Sequence, residues 1–212
     1  LAQAWAQRPG CQVLALGRDT APGLPSFSHP HFHLARYQLA RAPHAKQHPY
    51  LRTMEAATLH GQAVARALIA LRAKGFTPDV VLAHPGWGES LYVKDVFPDT
   101  RLVHFCEWWY ATPDADMGFD AEFPVSFDAR ARVRTWNALH ALNLAQCDAA
   151  VTPTHWQHSR HPAVFQPQIA VQHEGIATAI LGPNPAATLT TPNSLEARAL
   201  APEADSLDAC AQ

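Results

Sequence analysis

The sequence predicts an α/β fold on parallel strands, and three observations carry this. Short apolar runs at residues 13–16, 80–83, 102–105, 149–152 and 169–172 are each compatible with a buried strand. Two long segments of helical period, 55–74 and 129–146, lie between successive runs. Several runs end abruptly in Pro- or Gly-containing turns. Strand and helix in alternation require crossover connections, which specify a doubly wound parallel sheet, one Rossmann-like half of a larger architecture.

The elements follow in order. Residues 1–8 read as the tail of a helix closed by Pro9-Gly10, and 13–16 as a strand. A helix followed by a strand suggests an α/β unit whose first strand is missing. Residues 17–50 read as loop, because Gly17, Pro22, Gly23, Pro25, Pro30, Pro43 and Pro49 leave little room for regular structure. Within this loop His29, His31 and His33 alternate, and a metal-binding reading competes with that of a solvated His-rich segment. Val64, Ala67, Leu68 and Leu71 give the 55–74 helix an apolar face, and Gly75 stops it. A helix is expected at 89–96, a strand at 102–105 and a loop at 111–127 that carries Asp114, Asp116, Asp120 and Glu122. Ser126 or Asp128 caps the 129–146 helix. Val133, Trp136, Leu139 and Leu142 can line its buried side, with Asn137, His140 and Asn143 interrupting the contrast. Thr154 caps a short helix at 155–160. From Gly182 the composition turns to Pro, Ala, Thr and Ser without period, so 182–212 is expected to be a poorly ordered tail.

Composition narrows the function classes. A 48% hydrophobic and 16% charged chain of 212 residues can bury a core. Its net charge of -2, without a basic block, points away from nucleic acid and anionic membranes. No run approaches the roughly eighteen apolar residues of a membrane span. Cys11, Cys106, Cys147 and Cys210 form no C-x-x-C pair, which favours reduced thiols and a cytoplasmic setting.

The chemistry concentrates at His84-Pro85-Gly86-Trp87-Gly88-Glu89, a turn directly after the 80–83 strand. In open α/β sheets the crevice at the carboxyl ends of the strands receives the ligand. His, Trp and Glu at such a turn suit a polar ring such as a sugar; the competing reading is a tight turn whose Trp packs on the sheet.

Further motifs follow in order: Lys94-Asp-Val-Phe-Pro98, Phe105-Cys-Glu-Trp-Trp-Tyr110, Asp116-Met-Gly-Phe-Asp120, Arg132-Val-Arg-Thr-Trp-Asn137, Pro153-Thr-His-Trp-Gln157 and Val171-Gln-His-Glu-Gly-Ile176. Together with the turn, they resemble the N-terminal domain of glycosyltransferase family 4 enzymes, in the bacterial branch with the HPGWGE signature. The resemblance covers about residues 1–181. It implies a two-domain enzyme whose C-terminal half grips a nucleotide-sugar donor as co-substrate and whose N-terminal half shapes the acceptor side. Transfer with retention, no essential metal and no cofactor in this chain are implied as well. The first strand with its Gly-containing loop, and the donor-binding domain, have no counterpart in these residues, and Ala177 stands where the family commonly has Asp. The expectation is therefore an acceptor-side domain, inactive without its donor half and prone to self-association through the surface that half should cover.

Candidate roles follow. His84 and Glu89 are expected to bind a saccharide or other hydroxyl acceptor, with Trp87 and Trp108 offering ring faces and Gly88 shaping the turn. Glu107 is the catalytic candidate: an ionised carboxylate there can take the acceptor proton or stabilise an oxocarbenium-like centre. Its alternative is pairing with an Arg at 132–134. Asp116 can accept hydroxyl hydrogen bonds, or belong to a solvated loop. Arg134 and Asn137 share a helix face and either bind phosphate or tie the strand-end loops together. His173, Glu174 and Gly175 follow the last strand and are expected to face the interdomain cleft. His155, His158 and His161 step around their helix in a way that does not converge on a metal. Two other readings stand beside transfer: a non-catalytic remnant that binds carbohydrate or a partner, and a His-rich metal-binding module.

Overall fold

Parallel strands form two sheets in the computed structural model, which describes residues 1–22, 27–112, 115–178 and 180–186. Asp114, Cys210 and the tail from 187 onward lie outside the described residues. The chain divides into two units, Leu1–Gln172 and His173–Gln212. In the first, β1 (Val13–Arg18) pairs with β2 (Phe32–Tyr37) in register from Val13 opposite Phe32 to Arg18 opposite Tyr37. The second sheet runs in chain order through β3 (Val80–Ala83), β4 (Arg101–Phe105), β5 (Ala149–Thr152) and β6 (Ile169–Val171). All pairings are parallel. The helices are α1 (Ala2–Ala6), α2 (Arg52–Ala73), α3 (Val93–Val96), α4 (Phe127–Gln146) and α5 (His155–Arg160). This is the expected α/β class.

Two local expectations are corrected. The loop expected over 17–50 contains β2, hidden by the prolines and histidines around it. Its hydrogen bonds go to β1, a partner no local pattern reveals, and Arg36 Nη1 secures it by donating to the carbonyls of Arg18 (2.9 Å) and Ala21 (2.6 Å). The helix expected over 89–96 is confined to α3. Gly88 has φ 93°, and turns in which Leu91 N–H donates to Gly88 O and Val93 N–H to Ser90 O take up the residues between.

Side-chain spacing builds the core. Val64 and Leu68, one turn apart on α2, bury themselves with Tyr37, Val93, Val96, Phe97 and Leu102, while Leu16 and Val81 bring both sheets to this cluster. A second cluster joins Leu144 of α4 to Cys106, Ala150 and Ile169. A third, Ala57, Leu91 and Leu139, wedges the segment after Gly88 between α2 and α4. Each fully buried Leu contributes about 2 kcal/mol to such packing.

Termini are closed by the side chains the sequence offers. Ser126 accepts from Ala129 N–H (3.1 Å) at the start of α4, and Thr154 accepts from Gln157 N–H (3.1 Å) at the start of α5. Gly75, at φ 85°, ends α2 with its N–H on Arg72 O and the Phe76 N–H on Leu71 O, a paired closure that needs a left-handed residue. Among the described residues no helix is long and apolar enough to cross a membrane.

Candidate acceptor site at the strand ends

The register of β3 and β4 sets Ala83 opposite His104, so the residues just beyond, His84 and Glu107, emerge side by side at the carboxyl edge of the sheet. His84 Nε2 lies 3.4 Å from Glu107 Oε2. The imidazole is mostly buried, whereas the Glu107 side chain is 49% exposed. Glu107 thus faces His84, not an Arg of the 132–134 segment. Gly86 N–H donates to His84 Nδ1 at 3.0 Å, so the neutral ring carries its proton on Nε2, toward Glu107. Burial lowers the His84 pKa from the ordinary imidazole value, while Glu107 and Glu89 pull it the other way.

Two glycines permit this turn. A Cβ on Gly86 would meet the rings of His84 and His140, each at 2.9 Å. One on Gly88 would stand 2.2 Å from Ala57 O, so α2 touches the turn backbone directly. Trp87 stacks on His84 with centroids 4.5 Å apart and planes 26° apart, and remains 64% exposed.

Glu89 is held from behind. Tyr37 O–H donates to Glu89 Oε1 (2.8 Å) and lies 2.7 Å from His60 Nδ1. Burial first, and the Glu89 contact second, raise the Tyr37 pKa. A cleft of about 310 Å³ opens here, lined by Thr53, Ala57, His60, Gly86, Trp87 and Glu89. A hollow of similar size, about 290 Å³, borders Tyr37, Gln62 and Arg66, just past the end of β2. Only the first cleft shares residues with the His84 turn.

One face of α4 presents Asn137, His140 and Asn143 to the site, three residues apart. Asn143, fully buried, donates to Pro85 O (2.7 Å) and accepts from Ser90 Oγ (3.1 Å). His140 packs edge-on against Tyr110 at 5.6 Å and His84 at 6.3 Å. Burial pushes its pKa down to about 4, with His84, His161 and His104 adding to the effect. Asn137 accepts from Tyr110 N–H (3.0 Å) and donates to Tyr110 O (2.6 Å), tying the strand-end loop to the helix. Of the two sequence readings of Asn137, the loop tie is the one the structure shows, whereas His140 and Asn143 appear in the sequence only as a loss of amphipathic contrast.

The remaining candidates divide. Asp116 uses both carboxylate oxygens within its own loop, accepting from Trp108 Nε1–H and from Ala111 N–H (2.7 Å). Arg134 is exposed on α4 and takes no part in the Asn137–Tyr110 bonds. Gln157 Nε2 donates to Glu107 O at 2.9 Å, a brace from α5 that sequence reading missed. In the second unit, Gly175 (φ 83°) donates its N–H to His173 Nδ1 at 2.9 Å, and Glu174 is exposed. Among the described residues no group of three His, Cys, Asp or Glu side chains is placed to hold a metal ion, and His29, His31 and His33 do not converge on one.

The arrangement joins an exposed carboxylate, a neutral imidazole oriented toward it and a free indole face at the mouth of a cleft. Such a set can hold a hydroxyl-bearing ring and accept a proton from one of its hydroxyls. Comparison with individual characterised proteins finds no match. The profile described as the glycosyl transferase family 4 group matches residues 9–181, most of the chain. With its parallel α/β architecture, the chain belongs to the glycosyl transferase family 4 group.

Proposed function

We propose that residues 1–181 form the acceptor-side domain of a retaining glycosyltransferase, which moves a sugar from a nucleotide-sugar donor to a saccharide or other hydroxyl acceptor. The observation that carries the reading is the His84–Glu107 pair, 3.4 Å apart at the ends of adjacent parallel strands and roofed by an exposed Trp87. Glu107 accepts the proton of the acceptor hydroxyl as its oxygen bonds to the anomeric carbon and the bond to the nucleoside diphosphate breaks. His84 orients that carboxylate through Nε2–H, and Glu89 with Trp87 holds the acceptor ring. On this reading donor recognition belongs to a second domain.

The test is a titration of the chain with a panel of mono- and oligosaccharides, followed through the indole N–H signals in NMR. Saturable shifts at Trp87 that Trp87→Ala removes are expected, together with no turnover of a UDP- or GDP-sugar by this chain. A panel on which no saccharide moves Trp87 would refute the acceptor site.

A further inference from the structure

A second aromatic platform lies on the other side of Glu107. Trp156, at the start of α5, is 51% exposed, and its ring is 5.3 Å from that of Trp108 at an angle of 49°. Asp116 holds Trp108 Nε1–H, the Arg160 guanidinium lies 5.8 Å from the Trp156 centroid, and neighbouring Gln157 is bonded to the Glu107 carbonyl at 2.9 Å. In the strand order β3–β4–β5, Glu107 therefore stands between the turn that carries Trp87 and the helix that carries Trp156. Trp87 is reached through His84, and Trp156 through Trp108 and Gln157.

An exposed indole flanked by neighbours offers an apolar face with few rotatable bonds to order on binding, the feature that favours aromatic residues where one side of a ligand is apolar and the other wet. Trp87 follows β3 and Trp156 follows β5, with β4 between them, a separation of roughly 10 Å at the strand ends that is wider than one pyranose. We infer that the acceptor is a saccharide of at least two rings, laid across Glu107 with one ring on Trp87 and a second on Trp156. This rests on the acceptor-site reading and narrows its substrate class from any hydroxyl compound to a glycan.

The experiment compares glucose, mannose and galactose with their β- and α-linked di- and trisaccharides, following the indole signals of Trp87 and Trp156 in the full chain. Oligosaccharides are expected to shift both signals with one common Kd. Trp156→Ala should weaken their binding roughly fivefold, the scale of one aromatic contact, and leave monosaccharide binding unchanged. Trp156→Phe should recover most of the loss, and an unchanged thermal midpoint in both variants excludes misfolding as the cause. Oligosaccharides that shift Trp87 but leave Trp156 unmoved, or bind Trp156→Ala with unaltered Kd, overturn the inference while sparing the acceptor site. A panel that moves neither indole removes both.

Discussion

Asn143 of α4 donates its side-chain amide to the carbonyl of Pro85 at 2.7 Å, and so a helix fixes the turn that carries His84. The same side chain accepts from Ser90 Oγ at 3.1 Å, with the whole group shielded from solvent. Asn143→Ala would strand two buried partners and leave a void, costing about 2–4 kcal/mol. Asn143→Asp keeps the volume but cannot donate to Pro85, and should also destabilise. Urea unfolding of both variants measures this, and a stability equal to the parent would refute the tie.

Gly88→Ala meets two obstacles, a left-handed φ of 93° and an Ala57 carbonyl 2.2 Å from the new Cβ. Strain and overpacking together should cost roughly 2–5 kcal/mol. Gly75→Ala shares the positive φ but faces open space, so the loss there should be nearer to about 1–2 kcal/mol. Comparable midpoints for the two variants would show that the α2 contact does not constrain the turn.

Acid should loosen the fold around His140. Its folded-state pKa, about 4, lies below the ordinary value of 6.5, so between those values the unfolded chain binds more protons. The associated stability, about 3 kcal/mol, is complete above pH 6.5 and lost as the pH falls toward 4. Burial depresses His84, His104 and His161 in the same direction, which steepens the slope. Thermal melts across that window should fall with pH, and less steeply in His140→Gln. A flat profile in the parent would count against buried neutral imidazoles.

Thiol accessibility gives an independent check on the packing. Cys106 is fully buried, and burial raises its pKa to about 12, so it should react with a maleimide only when the sheet opens. Cys11, partly exposed before β1, should label well before it. Peptide-resolved mass spectrometry gives the order, and rapid native labelling of Cys106 would mean the second core cluster is not closed.

How much of this was readable follows from how local each cause is. The runs at 80–83, 102–105 and 149–152 gave strands, and Ser126 and Thr154 marked helix starts, because period and capping act within a few residues. β2 was not readable, since its justification is pairing with β1, and His-rich sequence between prolines carries no strand signal. The nearness of His84 and Glu107 followed from both standing at the ends of strands. What supports them did not: Tyr37 and His60 reach Glu89 from distant segments, and Gln157 reaches Glu107 across fifty residues of chain. Asn137 was readable as a loop tie, but His140 and Asn143 looked like flaws in an amphipathic helix because their partners are a backbone carbonyl, a hydroxyl and aromatic rings.

The stripe Asn137–His140–Asn143 makes α4 a lever. The helix holds the Tyr110 loop through Asn137 and the Pro85 turn through Asn143, six residues or about 1.7 turns further on. Any slide of the rod along its axis would carry both jaws together, preserving their separation while shifting them past Ala57 on α2. The two loops that frame the His84–Glu107 pair are thereby set by one helix, so a change that tilts α4 displaces both at once.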